Sequence, residues 1–190
     1  MSATAMTPTM GLGRPIQCND VGSGPASLVT VEEFGPPGGA IRQTKFTFNS
    51  ATVTLNYNAS YSNGGIQMYD FPKGNITILN AVSKLALTVS GAVTDASNFV
   101  AAIGSVTAAA DGTLTSTEAD IMPSTVAGVT SGVGAVNGRL ASVGIVNGTS
   151  TAADAFLNFA TSSNLSSART VTVTGWIIVT WINGGDNTIA

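Results

Sequence analysis

Through most of this chain, hydrophobic and polar residues alternate with a period of two. Ala51, Val53, Leu55 and Tyr57 fall on one face of a segment whose other face carries Thr52, Thr54 and Asn56. That pattern belongs to a half-buried strand. Phe46 and Phe48 against Lys45 and Thr47 predict a strand just before it. Leu85, Leu87 and Val89 against Lys84, Ala86 and Thr88 predict another. Further strands are expected near 66–71, 75–79, 99–107, 155–160 and 170–182. Asn63-Gly64-Gly65, Asn137-Gly138, Asn147-Gly148 and Asn183-Gly184 read as turns, because Asn and Gly tolerate positive φ. Short strands separated by such turns predict an all-β, antiparallel sandwich or barrel with at most one short helix.

Two segments depart from the alternation. Residues 1–40 hold five of the seven prolines, and no period survives there for more than a few residues. Proline fixes φ and removes a donor, so no regular element is expected before residue 41. The chain therefore divides into an extended N-terminal arm, 1–40, and a β-sandwich domain, 41–190. The arm is either a solvated tail or a segment that orders against a partner. Its apolar anchors, Met6, Met10, Leu12, Ile16, Leu28, Val29, Val31 and Phe34, favour the second. The other departure is Thr115-x-x-Glu118, a capping box followed by Pro123, which predicts about two helical turns over 115–122. A small repeat, Val133-Gly-Ala-Val-Asn-Gly138 and Val143-Gly-Ile-Val-Asn-Gly148, suggests two similar strand-plus-turn corners. Two copies are too few for a solenoid.

The C-terminal strand breaks the rule of one apolar face. Val171, Val173, Gly175, Ile177, Val179 and Trp181 form one side; the other reads Thr172, Thr174, Trp176, Ile178, Thr180, Ile182. A half-buried strand needs apolar residues on one side only. Three explanations are open. The strand is central and covered on both sides within one subunit, or a bulge at Gly175 turns Trp176 inward, or Trp176 and Ile178 centre a subunit interface.

Composition narrows the chemistry. The 190 residues include no histidine, one cysteine (Cys18), seven basic and ten acidic side chains. Charged residues are 9%, where about a quarter is usual. Catalysis at neutral pH draws on His, Cys, Lys or paired carboxylates, so an enzyme is not expected. Ser83 and Lys84 are neighbours on a strand and face opposite ways, which rules out a Ser–Lys pair. Asp111, Glu118 and Asp120 share one stretch; it reads as a turn and a capped helix, with a calcium site as the less favoured alternative. The basic residues are scattered and the net charge is −3, so neither nucleic acid nor a membrane surface is an expected partner. The first thirteen residues show no secretory pattern. No cofactor or metal is expected.

Three stretches carry a resemblance. They are Tyr69-Asp-Phe-Pro-Lys-Gly74 with Ile76-Thr-Ile-Leu79, then Asn147 to Asn158, then Thr170 to Asp186. Together they resemble small structural proteins of tailed-bacteriophage virions, of the capsid-decoration or cement type. The resemblance covers most of 41–186 and none of the arm. It implies a jelly-roll-like β-sandwich that forms a homo-oligomer, trimer or dimer, and sits on the capsid exterior bound to the major capsid protein. Its role there would be to hold neighbouring capsomers against internal pressure. On this view Met10, Leu12, Ile16, Phe34, Trp176 and Ile178 are the expected partner interface. The competing expectation is a β-sandwich binding module, such as a tail or fibre domain or a glycan-recognising adhesin. A hydrolase on a β scaffold ranks last.

Overall fold

The structure, a computed structural model, describes residues 29–35, 41–58, 60–71, 74–91, 99–127, 133–136, 143–147, 154–162 and 167–183. The architecture is all-β and antiparallel. One sheet runs β1 (Val29–Phe34), β2 (Ile41–Tyr57), β10 (Arg169–Asn183), β4 (Gly74–Val89). Two short strands, β7 (Val133–Val136) and β8 (Val143–Asn147), pair with different stretches of the same β4 edge. The second sheet runs β3 (Ser62–Asp70), β9 (Asp154–Thr161), β5 (Phe99–Gly104), β6 (Met122–Val126). The end of β2 joins them, with Asn56 and Tyr57 pairing Asn63 and Ser62. The repeat read in the sequence is thus two edge strands, one after the other along β4.

A continuous core fills the space between the sheets. Phe46, Val53, Leu55, Leu85, Leu87, Val173, Ile177 and Val179 enter it from the first sheet, and Ile66, Phe99, Ile103, Leu157 and Phe159 from the second. Fully burying one such side chain is worth roughly 1.5–3 kcal/mol. At one end the aromatic rings form a ladder of edge-to-face contacts: Phe46 to Tyr69 at 5.7 Å, Tyr69 to Phe71 at 5.1 Å, Phe71 to Trp181 at 5.6 Å. Glu33 is buried beside it, paired with Arg42 at 3.0 Å and accepting a hydrogen bond from the Tyr69 hydroxyl. A buried carboxylate is tolerated only with such partners.

Four expectations are corrected. Segments read as separate strands are single long ones, of 17 residues in β2 and 16 in β4. Each carries one extra residue that shifts its alternation, near Asn49–Ser50 in β2 and Leu79–Asn80 in β4. Ser50 takes φ 59° to absorb the first. A phase change inside a strand looks like a strand end when period alone is read.

The second correction is β1, a regular strand inside the segment 1–40. Pro25, Pro36 and Pro37 bracket a proline-free Val-Thr-Val-Glu-Glu-Phe run, whose β-branched and aromatic residues suit a sheet edge. Third, Asn63, Gly64 and Gly65 lie within β3, not in a turn. A side chain on Gly64 would run into the Thr54 carbonyl oxygen, and one on Gly65 into the Asn158 carboxamide. The glycines serve close approach. The actual turn precedes them, closed by Asn58 N–H to Tyr61 O at 3.0 Å.

Fourth, the predicted helix is a single 3-10 turn, Ser116–Glu118. Glu118 does cap it, accepting from the Thr115 N–H at 3.0 Å. The chain then leaves at once, because Ile121 N–H donates to Ile103 O at 3.0 Å and opens the β5–β6 pairing. Pro123 sits in β6, for which β5 is the one paired strand among the described residues, where a missing donor does no harm.

The 105–121 segment covers the outer face of the second sheet over Ala102 and Ala160. Asn158 pins it. Its carboxamide oxygen accepts from Ala108 N–H at 3.0 Å, and its nitrogen donates to Val106 O at 2.8 Å and Glu118 O at 2.9 Å. Asn158→Ala removes the partner of three backbone groups, two of them buried. It is expected to cost about 2–4 kcal/mol, read as a lower urea midpoint with an unchanged slope.

Candidate functional site

β10 lies between β2 and β4 over nearly its whole length. A strand in that position sends alternate side chains to opposite faces. Val171, Val173, Ile177, Val179 and Trp181 point into the core and are fully buried. Thr172, Thr174, Trp176, Ile178, Thr180 and Ile182 point the other way, away from the second sheet. Gly175 sits opposite the β2 bulge with φ 129°. A side chain there would strike the Lys84 carbonyl oxygen, so glycine is the residue that fits. The extra residue belongs to β2, and β10 keeps its phase. Trp176 therefore stays on the outward face, and the expectation that a bulge at Gly175 turns it inward is corrected.

The register places neighbours around these residues. Trp176 lies opposite Thr47 on β2 and Lys84 on β4; Ile178 lies opposite Lys45 and Val82. Directly opposed side chains share a face, with Cβ atoms about 5 Å apart. Trp176, Ile178 and Val82 thus make a contiguous apolar stripe, half-buried at each position. Ile182 opposite Ile41 extends it toward the strand end, and Ile41 is 53% exposed. Among the described residues, none of these belongs to either buried hydrophobic cluster. The rim is polar. Lys45 pairs with Glu32 at 3.7 Å, and Gln43 donates to Thr180 Oγ1 at 3.3 Å.

Phe34 is on the same face. It stands on β1 opposite Gln43, in the row of Thr180, about 10 Å from β10 with β2 between. The structure therefore brings Trp176 and Ile178 side by side and sets Phe34 at the sheet edge. Met10, Leu12 and Ile16 lie outside the described residues. Val82 and Ile41 went unnoticed in the sequence. The β4 phase shift hides Val82, because only a continuous β4 places it beside Ile178.

The two tryptophans contrast sharply. Trp181 is fully buried, donates its indole N–H to Thr44 Oγ1 at 2.8 Å, and has the Arg42 guanidinium 5.8 Å from its ring centre. Trp176 is half-buried on the opposite face of the sheet.

The acidic residues are spread among separate tasks. Asp111 accepts from the Thr113 N–H and hydroxyl, both at 2.9 Å. Asp120 accepts from the Ser105 N–H and hydroxyl, both at 2.7 Å. Glu118 accepts from the Ala109 and Thr115 N–H groups. Among the described residues no group of three or more His, Cys, Asp or Glu is placed to hold a metal ion. Ser83 is buried and directs its hydroxyl to Met122 Sδ at 3.5 Å, while Lys84 is exposed on the opposite face. One carboxylate pair does meet, Asp70 and Asp154, directly opposed across β3 and β9. Burial, and then the Asp70 charge, raise the Asp154 carboxyl above its ordinary range. No spacing rule could find that pair, since strand pairing alone creates it.

The sequence matches no known protein family, and no characterised protein is detectably similar to it.

Two outcomes follow from this geometry. Trp176→Ala is expected to shift stability by less than about 1 kcal/mol, against about 3–5 kcal/mol for Trp181→Ala, both read by chemical unfolding. Asp154 has its folded value raised, so its stabilising contribution is complete below the unfolded carboxylate value and is lost as pH rises through the folded one. Asp154→Asn is expected to melt higher than the parent at pH 7, and the gain should vanish as pH falls below the ordinary carboxylate range. A gain independent of pH would contradict the repulsion between Asp70 and Asp154.

Proposed function

We propose that this protein is a structural component of a tailed-phage virion, a cement subunit that binds the capsid exterior through the outward face of β10. The observation that carries the reading is the Trp176, Ile178 and Val82 stripe, which among the described residues belongs to neither buried cluster. Trp is favoured at the centres of protein interfaces, and the stripe has the apolar centre and polar rim of such a patch. The resemblance of the three sequence stretches supplies the choice of shell. The sandwich gives a rigid body, and the low charge spares the desolvation cost of burying Lys and Glu.

Mechanically, a shell pressurised from within is held by contacts that span its seams. A standard interface buries roughly 1,600 Å². Repeated around a closed lattice, modest contacts add through multivalency. The major capsid protein is the partner, and copies of this chain, as trimer or dimer, are its neighbours. No reactive side chain takes part.

A second reading has its own observation. The turn between β2 and β3 presents Tyr57, 47% exposed, beside Asn58, Ser60 and Tyr61. An aromatic with carboxamide and hydroxyl groups at a loop tip suits a glycan.

The test mixes purified protein with empty shells of the cognate capsid. The parent should saturate at a fixed number of copies per capsomer. Trp176→Ala with Ile178→Ser should weaken binding at least tenfold without lowering the melting temperature. Absence of the protein from purified virions by mass spectrometry, or shell binding untouched by the double substitution, would overturn the proposal. A glycan array lost on Tyr57→Ala would decide for the second reading.

A further inference from the structure

The outward face of the first sheet carries a charge pattern as well as an apolar one. Strand register sorts the charged residues of β1, β2, β10 and β4 between the two faces. Glu33 and Arg42 pair with each other on the core side, and Arg169 lies opposite Leu55, an inward position. Glu32, Lys45 and Lys84 share the outward face with Trp176 and Ile178. Glu32 and Lys45 are directly opposed and engage each other at 3.7 Å. Lys84 is exposed and has no carboxylate in ion-pair reach among the described residues. The chain as a whole is net negative, at −3, yet this face sets two lysines against one glutamate.

Position makes the surplus charge relevant to the stripe. Lys84 stands directly across from Trp176, with Cβ atoms about 5 Å apart. Whatever covers Trp176 therefore approaches the Lys84 ammonium as well. A wholly apolar cover would strip water from that ammonium and give nothing back. A second copy of the same face fits poorly for another reason. Packed face to face, four lysines would share two glutamates, and surfaces of like sign disfavour encounter. A cover that brings both apolar groups and a carboxylate meets both demands.

We propose that this face takes an acidic protein partner, one that sets an Asp or Glu carboxylate against Lys84 and apolar side chains against Trp176, Ile178 and Val82. This rests on the reading of the stripe as a partner interface, to which it adds the chemistry of the partner. It also sets aside pairing of two copies of this chain through their β10 faces.

The test measures binding of the full-length protein to purified empty shells of the cognate capsid at low and high salt. At low salt Lys84→Gln should weaken binding about threefold and Lys84→Glu about tenfold, with both differences shrinking as salt screens the pair. Melting should be unchanged in both variants, because Lys84 is exposed. Parent-like binding by both variants at low salt, or tighter binding by Lys84→Glu, would overturn the acidic partner. Self-association of the free parent that is lost on Trp176→Ala with Ile178→Ser would overturn it too, by assigning the face to a second copy. If the Lys84 variants bind like the parent while the Trp176 and Ile178 variant does not, the interface reading stands without this inference. Shell binding untouched by the Trp176 and Ile178 variant overturns the interface reading, whatever the Lys84 variants do.

Discussion

The constraint on which the rest depends is the central position of β10. A strand hydrogen-bonded on both edges has no freedom over where its side chains go. Its inward set meets the second sheet and closes the core with Trp181. Its outward set is fixed by the same alternation, and among the described residues it joins neither buried cluster. Turning Trp176 inward would require a residue inserted in β10, which would throw Ile177, Val179 and Trp181 out of the core. The insertion lies in β2 instead, and Gly175 accommodates it. An apolar outward stripe is therefore built into the strand that holds the sandwich together.

Much of the fold was legible, and the reasons for the rest are physical. Alternation revealed the strands of 51–57, 85–89 and 170–182 because each keeps one phase against one core. It misplaced the joins in β2 and β4, where a single extra residue reverses the phase without ending the strand. Proline density hid β1, since a six-residue run between prolines carries too few positions for a period to show. Asn63, Gly64 and Gly65 looked like a turn by chemistry, yet Gly64 answers to the Thr54 backbone and Gly65 to the Asn158 side chain. In the candidate site, Trp176 and Ile178 were visible as apolar residues on a face expected to be polar. Val82, Ile41 and the Asp70–Asp154 pair depend on which strands become neighbours, and single-strand patterns do not encode that.

The few charged and amide side chains are used with economy. Glu33 is buried only in company, with Arg42 and Tyr69 satisfying it beside the aromatic ladder. Asn158 and Glu118 lock a long connection over the second sheet through backbone contacts. These groups fix the geometry of the chain around them. What the first sheet offers outward is a short apolar stripe at Trp176, Ile178 and Val82 within a face of Thr, Lys and Gln, which is the basis for proposing that the protein works by contact.

The most direct test of that claim is a high-resolution reconstruction of the native particle. The account predicts sandwiches seated on the shell exterior, with the outward face of β10 at Trp176 and Ile178 buried against another protein. Sandwiches bound through some other surface, with Trp176 facing solvent, would contradict it.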